Sequence, residues 1–176
     1  MERTTVFLIG FMGSGKTTLG KKLAHKMGLA YCDLDEELCR KYQVDSVRTY
    51  IELHGFDAFR KAESDTLKGL SLSGLLVSTG GGTPCYFDNT AWMKSRGIVV
   101  FLDVNEGVLY SRLKNEQQHE RPLLKELDEE GLKNFIHAKL QERMPFYGQA
   151  HIAFNPVDEK LETLIGLIEQ TKVRLH

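Results

Sequence analysis

The chain has 176 residues, which suits one domain able to bury a core without staples. Hydrophobic residues make up 41% and charged residues 27%, and the formal net charge is −1, so no global field draws the protein to nucleic acid or an anionic membrane. Anion binding must therefore rest on local positive charge. The three cysteines, Cys32, Cys39 and Cys85, are odd in number and form no C-x-x-C pair. That argues against a disulfide framework or a zinc site and fits a reducing compartment. Met1-Glu-Arg-Thr-Thr lacks the series of a signal peptide, and no apolar run reaches membrane-span length. A cytoplasmic protein of one domain, 1–176, is expected, with no nucleic-acid or membrane partner.

Val6-Phe-Leu-Ile9 is a continuous apolar run ending at Gly10, the pattern of a strand buried on both faces. Leu19, Leu23, Ala24 and Met27 follow at helical spacing, with Gly28 as the stop. Leu29–Cys32 is a second strand ending in Asp33-Leu-Asp35, and helices fill most of 35–71, broken near Val44–Ser46 and Gly55. Leu75–Ser78 is a third strand running into Gly80-Gly-Gly82, and Asp88–Ser95 a helix. Ile98–Leu102 is a fourth strand and Asp103–Leu113 its helix. Lys114–Lys125 is polar, holds Pro122 and lacks periodicity, so it reads as a mobile loop. A helix over 129–143, a weak strand His151–Phe154 and a helix over 158–172 complete the chain. Alternating strands and helices predict an α/β fold with a parallel sheet, whose ligands sit beyond the carboxyl ends of the strands.

Gly10-Phe-Met-Gly13-Ser-Gly15-Lys16-Thr17 fits G-x-x-x-x-G-K-[ST] without mismatch. Glycines let backbone N–H groups turn toward phosphate oxygens, and the helix that follows adds its N-terminal dipole. Lys16 reaches the β- and γ-phosphates, and Thr17 offers a hydroxyl to Mg²⁺. The competing reading, a plain glycine turn, does not explain the strand before it and the helix after it. A second metal anchor is less direct. Val99-Val-Phe-Leu-Asp103 has the look of a Walker B strand, but Asp103 is expected to cap the following helix. Asp33 and Asp35 are the better candidates, with capping of the helix after them as the rival role.

Arg60, Arg121 and Arg143 stand out as acceptor-side candidates. Singly, each reads as a solvated surface arginine. Beside a triphosphate loop they suggest recognition of carboxylate or phosphate, which a guanidinium fork fits.

Gly10-Phe-Met-Gly-Ser-Gly-Lys-Thr17, Asp33-Leu-Asp35, Phe59-Arg60 with Glu63, Gly80-Gly-Gly82, Arg121-Pro-Leu-Leu124 and Arg143-x-Pro-x-Tyr147 occur in this order. With them the sequence resembles the shikimate kinase family over nearly its whole length. The resemblance implies a P-loop kinase three-layer fold with a parallel five-stranded sheet, a substrate-binding helical segment at about 33–63 and a lid at about 114–125. It implies transfer of the γ-phosphate of ATP, with one Mg²⁺, to the 3-hydroxyl of shikimate in the aromatic amino-acid pathway. The ATP site would comprise Gly13, Ser14, Gly15, Lys16, Thr17 and Thr18, with Arg121 from the lid and Arg112 as the arginine that stacks on adenine. Thr17 and Asp33 would hold the metal. Asp35, Arg60, Gly81 and Arg143 would bind shikimate, the arginines at its carboxylate and Asp35 at its hydroxyls. Lys16, Asp35 and Arg121 would be the catalytic residues, and a monomer is expected.

Three features depart from the family pattern. Phe56 stands where glutamate is usual, Asn155–Asp158 matches the adenine loop weakly, and the lid's Gln117-Gln118-His119-Glu120 is idiosyncratic, with His119 read as solvated. Two other classes remain open: another small-molecule kinase, such as a gluconate or nucleoside monophosphate kinase, and a non-catalytic nucleotide-binding module.

Overall fold

The computed structural model describes residues 4–117, 124 and 127–175. Five strands, β1 (Val6–Ile9), β2 (Ala30–Asp33), β3 (Leu75–Ser78), β4 (Ile98–Leu102) and β5 (Ile152–Phe154), form one parallel sheet in the order β2-β3-β1-β4-β5. Every residue of β1 and β4 is buried, because helices cover both faces of the sheet. Alternation along the strands divides the core in two. Val6, Leu8, Leu76, Ile98, Val100 and Leu102 face α1 (Lys16–Met27) and the last helix, Leu161–Leu175. Phe7, Ile9, Val77, Val99 and Phe101 face the opposite layer, which includes Met93, Leu109 and Ile136.

The predicted breaks in 35–71 appear as separate helices: α2 (Leu34–Tyr42), α3 (Val47–His54) and α4 (Phe56–Lys68). Ser46 caps α3 through Thr49 N, and Gly55, at φ 84°, turns the chain between α3 and α4. Leu38, Tyr50, Phe59 and Ala62 give these three helices a small core of their own at the edge of the sheet. After β3 come a short 3₁₀ turn (Thr83–Cys85), α5 (Asn89–Arg96), α6 (Glu106–Gln117), α7 (Glu129–Tyr147) and α8 (Leu161–Leu175).

Three expectations change. Asp103 does not cap α6: the helix starts at Glu106, and Asn105 Oδ1 accepts from Val108 N at 3.0 Å. The polar stretch from Lys114 begins as helix, since α6 runs to Gln117; the rest of the expected lid, with Arg121, lies largely outside the described residues. The helix expected to stop at 143 runs through Pro145 to Tyr147. Burial of the Tyr147 ring, stacked on Phe101 at 4.9 Å, outweighs the N–H that proline lacks. Among the described residues no helix is long and apolar enough to cross a membrane.

Gly97 joins α5 to β4 where Ile98 N donates to Thr5 O at 2.9 Å. A methyl group there would fall inside contact distance of the Thr5 carbonyl oxygen. Gly97→Ala is expected to destabilise the fold by about 2 kcal/mol, the scale of overpacking, and to lower Tm by roughly 6 °C. An unchanged melting curve would mean that β1 and β4 part there without cost.

Candidate active site

The carboxyl ends of β1, β2 and β3 set the floor of a cavity of about 420 Å³. Register places Asp33 opposite Ser78, and Ser78 opposite Leu8, so the ends of β2 and β3 reach the level where the phosphate loop begins. Gly10, Gly13 and Gly15 have φ of 146°, 76° and 94°, values that a side chain at Cβ disfavours. They fold the loop over the N-terminus of α1, whose unpaired N–H groups favour an anion. Lys16 Nζ donates to Gly10 O and Phe11 O, both at 2.8 Å, and so folds over the loop's own carbonyls. Ser14 is buried beneath the loop, while Thr17 and Thr18 are exposed at its mouth.

Asp33 Oδ1 caps α2 by accepting from Asp35 N at 3.1 Å, so the rival capping role is real. Its other oxygen, Oδ2, lies 3.4 Å from Thr17 Oγ1 and 3.4 Å from Tyr31 Oη. Asp35, in the first turn of α2, enters the same cavity. Its carboxyl is raised to about 6, chiefly by burial and then by the charges of Glu63 and Asp33, with Lys16 and Arg60 opposing them.

Arg60 and Arg143 are not solvated surface residues. Arg60 is 8% exposed and pairs through Nη1 with Glu63 at 2.7 Å, on the same face of α4. Glu63 is fully buried and also accepts from Thr83 Oγ1 at 2.6 Å, tying α4 to the turn after the glycines. A methyl group on Gly82 would overlap the Arg60 guanidinium, so glycine lets the turn lie against it without displacing that side chain. Arg143 comes from α7, with its guanidinium carbon 5.3 Å from the Phe11 ring centroid. Its α7 neighbour Tyr147 donates to Gly81 O at 2.6 Å and pins the middle glycine of the turn. Arg60 Nε and Arg143 Nη1 are buried with no acceptor among the described residues. Such donors are costly unless a ligand meets them.

The cavity thus gathers Lys16, Thr17, Thr18, Asp33, Asp35, Arg60, Gly81 and Arg143, with Gly13 and Gly15 on its rim. Arg112 does not line it; from α6 it donates to Gly13 O at 2.8 Å and braces the loop. Asn155–Asp158 forms a self-closed turn through Asn155 Nδ2 to Asp158 Oδ2 at 2.6 Å and contributes nothing to the cavity lining. Asp103 is exposed and also lies apart from it. Sequence reasoning did not find the parts played by Thr83, Tyr147 and Phe11. Each acts through a contact between distant segments; Tyr147 and Phe11 carried only the signal of their places in Arg143-x-Pro-x-Tyr147 and the phosphate loop, and Thr83 carried none.

A phosphate loop of this kind on a parallel sheet, facing carboxylates and two arginines across one cavity, defines a P-loop phosphotransferase. A family model described as shikimate kinase matches residues 12–171. A shikimate kinase of Phocaeicola vulgatus is 44% identical over 152 residues, which cover 86% of each chain. The crystal structure of a shikimate kinase from Bacteroides thetaiotaomicron has a TM-score of 0.83 at 34% identity and covers 97% of each chain. The Acinetobacter baumannii shikimate kinase, solved in complex with shikimate, has a TM-score of 0.81 at 30% identity and covers 98% of this chain and 94% of that one. The chain belongs to the shikimate kinase family.

Proposed function

We propose that this chain transfers the γ-phosphate of ATP to the 3-hydroxyl of shikimate, with Asp35 orienting that hydroxyl and Arg60 and Arg143 holding the carboxylate. The observation that carries the acceptor assignment is the pair of buried guanidinium nitrogens, Arg60 Nε and Arg143 Nη1, that lack acceptors among the described residues. They belong to arginines that line one cavity with Asp35. A hydroxylated carboxylate offers an anion to the arginines and hydroxyl donors to Asp35. The A. baumannii relative, solved with shikimate, supports the choice of ligand.

The phosphate end follows from the loop. Gly13, Ser14, Gly15, Thr17 and Thr18 present backbone and hydroxyl groups to the triphosphate, and Lys16 exchanges its carbonyl partners for phosphate oxygens. Thr17 and Asp33 fit a Mg²⁺ ion by their chemistry, since both offer hard oxygen donors from neighbouring positions. Among the described residues no group of three or more His, Cys, Asp and Glu could hold a metal, so the triphosphate and water must complete its shell. When bound, the ion draws charge from the β- and γ-oxygens. Asp35 positions the acceptor hydroxyl rather than stripping it early, as a loose transition state asks little of a base. Arg112 is assigned to the adenine side and Arg121 to the phosphates. The chain is taken to act as a cytoplasmic monomer; its three free thiols accord with a reducing compartment, and sedimentation checks the monomer.

ADP release measured with MgATP and shikimate, quinate, gluconate or AMP tests the assignment. Shikimate-dependent release is expected. Turnover on gluconate or AMP alone would transfer the chain to another acceptor class, and ATP binding without turnover would make it a regulatory module. Arg143→Ala should raise the shikimate KM by on the order of 10²-fold, the value of a charge-assisted hydrogen bond to a carboxylate, and leave the ATP KM within about twofold. An unchanged shikimate KM would remove Arg143 from the acceptor site.

A further inference from the structure

The Arg60 guanidinium is surrounded by aromatic rings. Its central carbon lies 4.7 Å from the Phe56 centroid, 4.9 Å from Phe59 and 4.6 Å from Tyr86. These are cation–π distances. Phe59 belongs to the buried core of the α2–α4 segment. The other two need a different explanation, since Phe56 is 50% and Tyr86 36% exposed. Burial accounts for neither ring's position.

The problem that Arg60 poses is one of orientation. Glu63 holds one edge of the guanidinium through Nη1. A second carboxylate on the other edge would compete with an incoming anion for the same N–H groups. A ring approaches the guanidinium's π faces and uses none of its hydrogen-bond donors. Aromatic side chains therefore restrain the plane and leave Nε without an acceptor among the described residues, as observed.

The two exposed rings reach Arg60 from separate segments. Phe56 lies one turn before Arg60 on α4, where residues four apart face each other. Tyr86 comes from the loop after the 3₁₀ turn, and that loop is held to α4 by several bonds. Lys68 Nζ donates to Phe87 O at 2.8 Å, and Ser64 Oγ donates to Asn89 Oδ1 at 2.7 Å. Asn89 Nδ2 in turn donates to Thr83 O at 2.9 Å. Phe87 and Asp88 both sit in the left-handed region, at φ 46° and 55°. Two successive non-glycine residues there are unfavourable and persist only where surrounding contacts impose them. The outcome is a rigid loop with Tyr86 against the cation.

We infer that Phe56 and Tyr86 are positioning residues for acceptor binding: their rings restrain the Arg60 guanidinium by cation–π contact and keep its free edge turned to the substrate carboxylate. This rests on the acceptor reading above.

Phe56→Leu and Tyr86→Leu keep apolar bulk and remove the ring face. Each should raise the shikimate KM about 3- to 5-fold, the range set by a part-exposed cation–π contact, with kcat and the ATP KM within about twofold. Phe56→Tyr should behave as wild type. The decisive series places mono-, di- and trifluorophenylalanine at position 56. Fluorine withdraws charge from the ring face with little change of shape, so log KM should climb with each fluorine. A flat series, or Phe56→Leu with an unchanged shikimate KM, overturns the inference. Wild-type turnover of shikimate and a raised KM in Arg60→Ala would then still uphold the acceptor assignment. Failure of the wild type to bind shikimate would instead overturn that assignment, and this inference with it.

Discussion

Lys16→Ala should lower kcat by on the order of 10³-fold while the protein melts close to the wild-type temperature. The size follows from the removal of one preorganised positive donor at the transferring phosphate. The near-constant stability follows from the partners of Lys16 in the unliganded protein. Its ammonium bonds the carbonyls of Gly10 and Phe11 at the open cavity, where water can replace it, so the loss is about 1 kcal/mol or less. A binding measurement separates two causes of lost turnover. If Lys16 acts on the transferring group, MgATP affinity should weaken far less than kcat falls. An equal loss in both would mean that the residue only holds the ground state. Turnover within tenfold of wild type would displace Lys16 from the reaction.

The phosphate loop was readable because its information is local. Eight consecutive residues carry the glycines that need positive φ, the lysine and the metal-side hydroxyl, and their flanking strand and helix are short-range patterns. The core was legible for a related reason. Apolar runs such as Val99-Val-Phe-Leu read as strands covered on both sides, and they divide between the two layers by simple alternation. Helix ends were less secure. Asp103 and Asn105 are both eligible caps two residues apart, and only the backbone path of the descending chain selects Asn105.

On the acceptor side the arginines suggested an anion, but only family resemblance brought the residues together as one site. Asp35, Arg60, Gly81 and Arg143 come from four separate segments, and no spacing rule brings them to one cavity. Composition even argued for solvated arginines. What makes Arg60 tolerable in the interior is Glu63 one turn later together with three rings, a combination visible only after α4 packs against the glycine turn. The support of that turn is equally non-local: Tyr147 holds Gly81 across 66 positions of sequence. Phe56 shows the same limit from the other direction. In the sequence it was a departure whose effect on the pocket could not be specified, and in the structure it lies against the arginine.

Asp35→Asn should abolish most turnover and, at the same time, stabilise the unliganded protein at neutral pH. The substitution keeps the shape of the side chain and removes the charge that aligns the acceptor hydroxyl, at an expected loss of about 10²-fold or more in kcat. The gain in stability comes from the raised carboxyl. Asp35 titrates at about 6 in the folded chain, mainly through burial and then through the nearby charges of Glu63 and Asp33. In the unfolded chain an aspartate titrates near its ordinary value, about 4. Between these two values the folded state binds more protons, so stability falls as pH rises from about 4 to about 6 and remains reduced above. A two-unit difference corresponds to at most about 3 kcal/mol, and the gain from Asn should be of the order of 2 kcal/mol, or roughly 5 °C in Tm at pH 7.5. Melting curves without nucleotide or Mg²⁺ should show the two proteins converging as pH falls to about 4 and below, where the carboxyl is protonated in the folded and increasingly in the unfolded chain. An asparagine variant less stable than wild type at both pH values would mean that Asp35 is held by favourable contacts. The cavity would then be built around a structural carboxylate, whereas the opposed responses of stability and turnover mark a charge kept for the substrate at the expense of the fold.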